Sequence, residues 1–141
     1  MKLIFDSNVF DDIVSGKLKL EVIENLNAEI FLTHIQIDEL NRCSDSEKRA
    51  RLFLMLIELR PTKIPTESFV IGTSRIGSAK IGDGKLIEKL RKGNRKKTND
   101  AIIGETAIKN YLTLITNDIT FRNTVIQLGG SAKTVHELLA E

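Results

Sequence analysis

The chain has 141 residues, of which 41% are hydrophobic and 28% are charged. This length suits one domain of ordinary size with a core of its own, and the composition excludes wholesale disorder. A single cysteine, Cys43, excludes a disulfide framework and a cysteine-rich zinc site. Six Phe, one Tyr and two Pro argue against an aromatic stacking module and against a proline-rich linker.

The net charge of +2 is distributed unevenly along the chain. Residues 75–97 contain nine basic residues against Asp83 and Glu88, a net charge of +7, which leaves −5 for the remainder. A basic segment on a mildly acidic body favours local attraction for a polyanion. The segment contains no aromatic residue, so base stacking is not indicated there, and the alternative is a solvated helix face.

No stretch of the sequence is long enough for a membrane-spanning helix, since the longest apolar run, 52–57, has six residues. An aspartate already stands at position six, which is too early for a signal peptide. We therefore expect a soluble cytoplasmic protein without a membrane partner.

The first part of the chain alternates short apolar strands with helices. Residues 2–5 predict a buried strand that stops at an Asp-Ser-Asn sequence, which is a turn or a helix N-cap. A short helix over 9–14 and a helical apolar stripe over 18–26 follow. Residues 29–32 predict the second strand.

Two spacings typical of a capping box come next, Thr33 with Gln36 and Ser44 with Glu47. Each predicts the start of a helix, and the second helix is long and ends near the first proline. Its later half, 52–57, is apolar all round, which predicts either a deeply buried helix or a partner interface.

The region 61–84 has a less definite pattern. Residues 68–71 predict a strand or the end of a helix, and four of the nine glycines follow, at positions 72, 77, 82 and 84. A loop or a small hairpin is expected there. Residues 85–92 then predict a basic helix that ends at Gly93-Asn94.

The last part of the chain repeats the alternation of helices and strands. A helix capped by 98–99 precedes a strand over 112–116, which is rich in β-branched residues. A helix over 119–128 ends at a pair of glycines, as helices often do. A last short strand over 132–134 and a capping box at 134–137 predict the terminal strand and helix.

Strands that alternate with helices indicate an α/β sandwich on a mainly parallel sheet. No internal boundary is strong enough for a second domain, so 1–141 is expected to be one domain with a Gly-rich, basic and insertion-like segment at about 72–97. In open sheets of this kind, ligands bind at the carboxyl ends of the strands.

Four acidic residues fall where such a site would form. Asp6 ends the first strand, and Asp118 ends the 112–116 strand. Asp100 lies in the first turn of its helix, and Glu39 follows the second strand, so all four could converge on one edge. Clustered carboxylates repel one another unless cations lie among them, and hard divalent cations prefer oxygen ligands. Mg²⁺ or Mn²⁺ can lower the pKa of a bound water and neutralise a phosphate, which suits phosphodiester hydrolysis.

Each of these acids also has a structural explanation. Asp100 and Asp118 could serve helix N-termini, and Glu39 could lie on the surface of an amphipathic helix. The structural explanation is weakest for Asp6, because the Ser-Asn sequence after it could have capped the helix. Their joint placement on one edge of the sheet is what favours a site.

Four segments form a pattern when they are taken together. They are IFDSNVF (4–10), Glu39, NDAIIGETA (99–107) and LITNDITF (114–121). In order and spacing, over nearly the whole chain, they resemble the PIN-domain family of metal-dependent nucleases. The resemblance implies a three-layer α/β/α sandwich with a parallel sheet and the cleavage of RNA, single-stranded or structured, with Mg²⁺ or Mn²⁺.

The resemblance also implies which residues form the site. The catalytic and metal-binding carboxylates would be Asp6, Glu39, Asp100 and Asp118. The residues that position them would be Ser7, Asn8, Thr116 and Asn117. The basic run leads directly to the third acid and is expected to bind the nucleic-acid backbone without sequence preference. Its members are Lys85, Lys89, Arg91, Lys92, Arg95, Lys96 and Lys97.

Many small members of the family are toxins of bacterial toxin–antitoxin pairs (VapC-like), which implies a cognate antitoxin as partner. The segment 72–97 departs from such toxins, which usually run directly from the second helical region to the third acid. For the apolar run 52–57, simple core, a homodimer interface and an antitoxin groove remain alternatives. Glu105, five residues after Asp100, is expected to face away from it and is left out of the site.

Other readings fit the sequence less well. A haloacid-dehalogenase-like phosphatase needs a second aspartate where Asn8 stands, and neither a P-loop nor a dinucleotide glycine pattern is present. A receiver domain would need paired acids and a late lysine. His34 is expected to be structural, and His136 to lie away from the acids. The non-enzymatic alternative is a PIN-like module that binds RNA or a protein without turnover.

Overall fold

The computed structural model describes residues 1–68, 70, 73–74, 77–92 and 97–140. In chain order its elements are β1 (Lys2–Phe5), α1 (Ser7–Ser15), α2 (Leu20–Asn25), β2 (Glu29–Leu32), α3 (His34–Asn41), α4 (Ser46–Leu59), β3 (Thr62–Lys63), α5 (Lys85–Arg91), α6 (Thr98–Lys109), β4 (Thr113–Ile115), α7 (Ile119–Gln127), β5 (Ser131–Lys133) and α8 (Val135–Leu139). Five sequence-based predictions fall wholly or partly outside the described residues. They concern the strand or helix end at 68–71, the loop or hairpin within 61–84, the insertion-like segment at about 72–97, the helix end at Gly93-Asn94, and the nucleic-acid contacts of Arg95 and Lys96.

The strands form one sheet in the order β3-β2-β1-β4-β5, and each neighbouring pair is parallel. β1 is the central strand, where Leu3 pairs with Ile30 of β2 on one side and with Thr113 of β4 on the other. The strand order therefore reverses between β1 and β4. In open α/β sheets, the crevice at such a switch point is where ligands bind, next to the carboxyl ends of the strands.

Side chains of the strands alternate between two apolar clusters, because successive residues point to opposite faces of a sheet. Leu3 and Phe5 pack with Leu52 of α4 in one cluster, whereas Ile4 packs with Ile103 of α6 in the other. Helices thus cover both faces, and the chain is the three-layer α/β/α sandwich that was expected. Burial on both faces also explains why these strands are continuous apolar runs in the sequence.

The capping boxes expected at the starts of α3 and α8 are both present. The start of α4 differs from the prediction. Its cap is Asp45, whose carboxylate accepts the backbone N–H groups of Glu47 at 3.0 Å and Lys48 at 3.2 Å. The predicted capping box of Ser44 with Glu47 is therefore wrong by one position, because a carboxylate one residue later competes for the same donors.

α4 is also less buried than its apolar second half suggested. Leu52, Met55 and Leu56 lie in the core, but Leu54 is 61% exposed and Ile57 is 70% exposed. Of the two alternatives, deep burial on all sides is therefore wrong, and α4 has one core face and one exposed apolar face. Among the described residues, no helix is both long and apolar enough to cross a membrane.

The region after α4 contains a strand that the sequence did not indicate. β3 pairs with β2 through Thr62 and Lys63 at the edge of the sheet. Further on, Thr66 and Ala79 form an isolated parallel bridge, and the Lys80 N–H donates to the Thr66 carbonyl at 2.6 Å. This bridge is parallel, so the described residues of the region form no antiparallel hairpin.

Candidate metal centre

Asp6 lies directly after β1, at the switch point of the sheet, and is only 6% exposed. It occupies the N-cap position of α1 but makes no side-chain capping hydrogen bond. Instead, the hydroxyl of Thr116, at the end of β4, donates to Oδ2 of Asp6 at 2.8 Å. The backbone N–H of Asp6 donates to the Ile115 carbonyl at 2.9 Å. The Asp6 carboxylate is therefore held in place by β4 and is not used to cap its own helix.

Thr116 also connects Asp6 to the next acid. Its Oγ1 accepts the backbone N–H of Asp118 at 3.1 Å. Asp118 caps α7, because its Oδ1 accepts the backbone N–H of Phe121 at 3.0 Å. The structural explanation for Asp118 thus applies to one carboxylate oxygen, while Oδ2 takes no part in the cap and the residue is exposed.

α3 brings Glu39 to the same edge, and Gln36 determines where this helix begins. Gln36 Oε1 accepts the backbone N–H of Thr33 at 2.6 Å, and Gln36 Nε2 donates to the Phe5 carbonyl at 2.8 Å. The capping residue of α3 is thereby fastened to the peptide group just before Asp6. Oε1 of Glu39 is buried and makes no hydrogen bond among the described residues.

α6 places the last acid, Asp100, in its first turn, as the sequence predicted. The cap differs from the prediction, because Lys97 occupies the N-cap position without a side-chain hydrogen bond, and Thr98 and Asn99 lie inside the helix. Burial and the nearby Asp118 raise the pKa of Asp100, and Lys97 opposes part of that rise. Asp100 therefore lies between another carboxylate and a cation.

Asp6, Glu39 and Asp100 each have a raised pKa to which a neighbouring carboxylate contributes. Burial raises the pKa of Asp6 to about 6, and the charges of Asp100 and Asp118 add to the rise. Burial and the charge of Asp6 raise the pKa of Glu39 to about 7. The neighbouring Ser7 hydroxyl opposes the rise at Glu39, although its geometry is not that of a hydrogen bond. The structure thus brings all four acids identified in the sequence to one edge of the sheet.

The four acids at this edge offer only oxygen donors to a divalent cation. Among the described residues, no three His, Cys, Asp or Glu side chains are close enough to hold one ion together. Mg²⁺ requires fewer, because it usually keeps several waters and binds one or two carboxylates together with substrate phosphates. All-oxygen donors, mutual repulsion and the buried, unbonded Oε1 of Glu39 fit an ion of that kind.

Two residues of this edge were not identified from the sequence as positioning groups. Gln36 was predicted only as part of a cap, and nothing indicated its bond to Phe5. Asp12 accepts the side-chain N–H of Asn117 at 2.6 Å, a contact between residues 105 positions apart. Of the residues expected to position the acids, Thr116 bonds to Asp6, Asn117 bonds to Asp12, Ser7 faces Glu39, and Asn8 is exposed.

The described part of the basic run lies on α5 and at the start of α6. Lys92 and Lys97 line a small cavity of about 30 Å³ together with Asp100 and Asp118. Two positive charges are thereby placed directly beside two of the acids.

The other basic residues of α5 differ in their surroundings. Arg91 forms an ion pair with Glu88 and donates to the Thr98 hydroxyl at 3.2 Å, and 17% of its side chain is exposed. Lys85 and Lys89 are exposed to solvent. Arg91 is therefore engaged within the protein, whereas the two lysines point away from it.

Glu105, which the sequence analysis left out of the site, is fully buried. Its Oε2 accepts the Ser68 hydroxyl at 2.9 Å and lies 3.4 Å from the Lys109 ammonium. The carboxylate therefore fastens the loop after β3 to α6.

No protein-family model and no curated protein matches the sequence. The structure is similar to that of VapBC2 from Rickettsia felis bound to a DNA fragment from its promoter, with a TM-score of 0.62 and 17% identity over 95% of this chain and 98% of that chain. It is also similar to a domain of a functionally unknown protein from Methanocaldococcus jannaschii, with a TM-score of 0.54 and 17% identity over 95% and 90% of the two chains. At this level of identity the similarity shows the fold, and the chain has the PIN-like α/β/α fold that its motifs predicted.

Proposed function

We propose that this protein is an endoribonuclease that hydrolyses RNA phosphodiester bonds with Mg²⁺ or Mn²⁺. The observation that carries the proposal is a set of mutually repelling carboxylates at the switch point of the sheet, of which Asp6 is buried. Such a set favours a cation among its members. The fold shared with the VapBC2 structure supports the proposal, since the resemblance of the motifs pointed to the same fold independently.

The metal-binding residues would be Asp6, Glu39, Asp100 and Asp118, with one or two of these carboxylates in direct contact with an ion and the others reaching it through its bound waters. When bound, Mg²⁺ or Mn²⁺ supplies a water of lowered pKa and neutralises charge on the phosphate. Thr116 donates to Oδ2 of Asp6 and would thereby hold this carboxylate in place for the ion. Oε1 of Glu39 would be available to the ion, because no described side chain makes a hydrogen bond to it.

Lys92 and Lys97 would hold the RNA backbone beside these acids. Their cavity of about 30 Å³ has room for a phosphate oxygen or a water molecule and not for a nucleobase. Contacts of lysine with phosphate carry no sequence information, so this part of the site would bind RNA of any sequence. The exposed Lys85 and Lys89 extend the positive surface along α5.

We further propose a toxin role with a cognate antitoxin as partner, by analogy with the VapBC2 structure. Leu54 and Ile57 offer an exposed apolar surface on α4 for such a partner or for a second copy of the chain. Co-expression with the product of an adjacent short gene, followed by co-purification, tests the antitoxin. Light scattering of the purified chain tests the homodimer.

The activity is tested with a fluorescently labelled single-stranded RNA in Mg²⁺, in Mn²⁺ and in EDTA. The wild type should cleave in either ion and not in EDTA, and Asp6→Asn and Asp100→Asn should each lower the rate by about 100-fold or more. Asp11→Asn is the matched control, because Asp11 lies on α1 in an exposed ion pair with Lys48. Cleavage that survives both active-site substitutions would contradict the proposal.

The second candidate is a PIN-like module that binds RNA or a protein without cleaving it. It is favoured by the finding that no three metal-ligating side chains of the described residues can share an ion. On this reading the wild type binds RNA, with an affinity that falls as salt rises, and cleaves none in any divalent ion.

A further inference from the structure

A second cleft opens on the carboxyl edge of the sheet, beside Asp118. It lies between α7 and α8, has a volume of about 620 Å³, and contains both chain neighbours of Asp118, Asn117 and Ile119. Its other lining residues include Asn123 and His136. His136 was predicted to lie away from the acids. It lines the same cleft as Asn117 and Ile119, because β5 pairs with β4 and brings α8 to this edge of the sheet. The cleft therefore lies beside the proposed metal centre, since two of its lining residues flank Asp118 in the sequence.

The charge of this cleft is balanced, unlike that of the cavity beside Lys97. Nη2 of Arg122 lies 2.7 Å from Oε2 of Glu137, and this ion pair holds the pKa of Glu137 below its usual range. The guanidinium is thus neutralised by a carboxylate that stays ionised. An anionic phosphate gains little from such a pair, so the cleft suits a neutral ligand.

Two asparagines of the cleft each use one end of the side-chain amide in a hydrogen bond. Asn117 donates its side-chain N–H to Asp12 at 2.6 Å, and its Oδ1 remains as an acceptor because no described residue donates to it. Asn123 accepts the Nη1–H of Arg122 through Oδ1 at 2.9 Å, which leaves its Nδ2 as a donor. Ile119 adds an apolar surface that is 63% exposed. One acceptor, one donor and an apolar face match the edge and the flat face of a nucleobase.

We propose that this cleft binds a nucleobase of the RNA next to the scissile phosphate and gives cleavage a base preference. The inference rests on the proposed function, because it assumes that the phosphate is held at the four carboxylates. Consecutive Cα atoms are about 3.8 Å apart, so the cleft residues Asn117 and Ile119 lie less than the length of one nucleotide from Asp118. The lysines beside Asp100 bind the backbone without discrimination, and the cleft supplies the discrimination.

The test uses four short single-stranded RNAs that differ only in the base beside one scissile bond. We expect the wild type to prefer one base, and Ile119→Ala and Asn123→Ala to raise KM for that RNA about tenfold while kcat changes little. The preference among the four RNAs should flatten in both variants. Ile126→Ala is the matched control, because Ile126 is a 41% exposed isoleucine on the same helix outside the cleft.

Three results would overturn the assignment. They are a wild type without base preference, variants that keep the wild-type KM and preference, and variants that lower kcat equally on all four RNAs. In each case the wild type still cleaves, so only the cleft is misassigned. A wild type that cleaves none of the RNAs in either ion contradicts the proposed function itself. Because both substituted side chains are exposed, the variants should keep the wild-type Tm, and thermal unfolding checks this.

Discussion

Replacing Asp6 with asparagine should stabilise the fold when divalent cations are absent. The Asp6 carboxylate is 6% exposed and lies near Asp100 and Asp118, so its pKa is raised from 3.8 to about 6. A rise of roughly two units corresponds to about 3 kcal/mol, at about 1.4 kcal/mol per unit. Asparagine carries no charge but keeps an oxygen that can accept the Thr116 hydroxyl. We therefore expect a gain of about 1–3 kcal/mol in the free energy of unfolding at pH 8.

The gain should depend on pH in one direction. Between pH 3.8 and about 6, the folded protein keeps a proton on Asp6 that the unfolded chain has lost. The free energy of unfolding of the wild type therefore falls as pH rises through this window, and stays low above it. Below the window both side chains are neutral, so the wild type and Asp6→Asn should have similar stability. Glu39, with a pKa of about 7, adds a second decrease in the free energy of unfolding as pH rises. This decrease should be smaller in the variant, because the charge of Asp6 is one cause of the raised Glu39 pKa.

Urea unfolding at pH 4, 6 and 8 in the presence of a chelator measures both effects. Asp11→Asn is again the control, since its ion pair with Lys48 is exposed and should change the free energy of unfolding by less than about 0.5 kcal/mol at each pH. Two results would refute this reasoning, namely an Asp6→Asn variant no more stable than the wild type at pH 8, or an advantage that is the same at pH 4 and pH 8. Either would mean that burial and repulsion of the Asp6 carboxylate do not destabilise the folded protein.

Two further results are expected. Millimolar Mg²⁺ or Mn²⁺ should raise the Tm of the wild type, because a ligand that binds only the folded state stabilises it. The same ions should raise the Tm of Asp6→Asn by less. Equal Tm shifts in the two proteins would show that Asp6 does not bind the ion. Asp45→Ala should destabilise the protein by about 1 kcal/mol through loss of the α4 cap, whereas Ser44→Ala should change stability by less than about 0.5 kcal/mol. If chemical unfolding shows that Ser44→Ala is the more destabilising of the two substitutions, the predicted capping box of Ser44 with Glu47 is correct.

The central strands could be predicted from the sequence because both of their faces are buried. β1 and β2 are apolar runs that end at capping residues, and their observed bounds are those predicted. β3 could not be predicted in this way, because Thr62 and Lys63 are exposed and become a strand only by pairing with β2. The exposure of Leu54 and Ile57 on α4 could not be predicted either, because in a run of consecutive apolar residues the sequence does not show which of them face solvent.

The acids of the candidate site could be found because strand ends and helix starts are visible in the sequence. The groups that hold them could not. The bond between Thr116 and Asp6 joins residues 110 positions apart, and it exists only because β4 lies next to β1. Strand order is a property of the whole sheet, and local periodicity does not encode it. The cleft beside Asp118 was missed for the same reason, since the neighbourhood of β4 and β5 decides where His136 lies.

The position of β1 between β2 and β4 has a consequence for synthesis. Translation delivers the N-terminal half first, so β1, β2 and β3 emerge while β4 has still to be made. Until then Asp6 lacks the Thr116 hydroxyl as well as Asp100 and Asp118, and one edge of its strand is unpaired. In the proposed ribonuclease, this order separates Asp6 and Glu39 from Asp100 and Asp118 while the growing chain is still beside the ribosome and its message. The candidate metal centre is assembled only when the second half of the sheet pairs with the first.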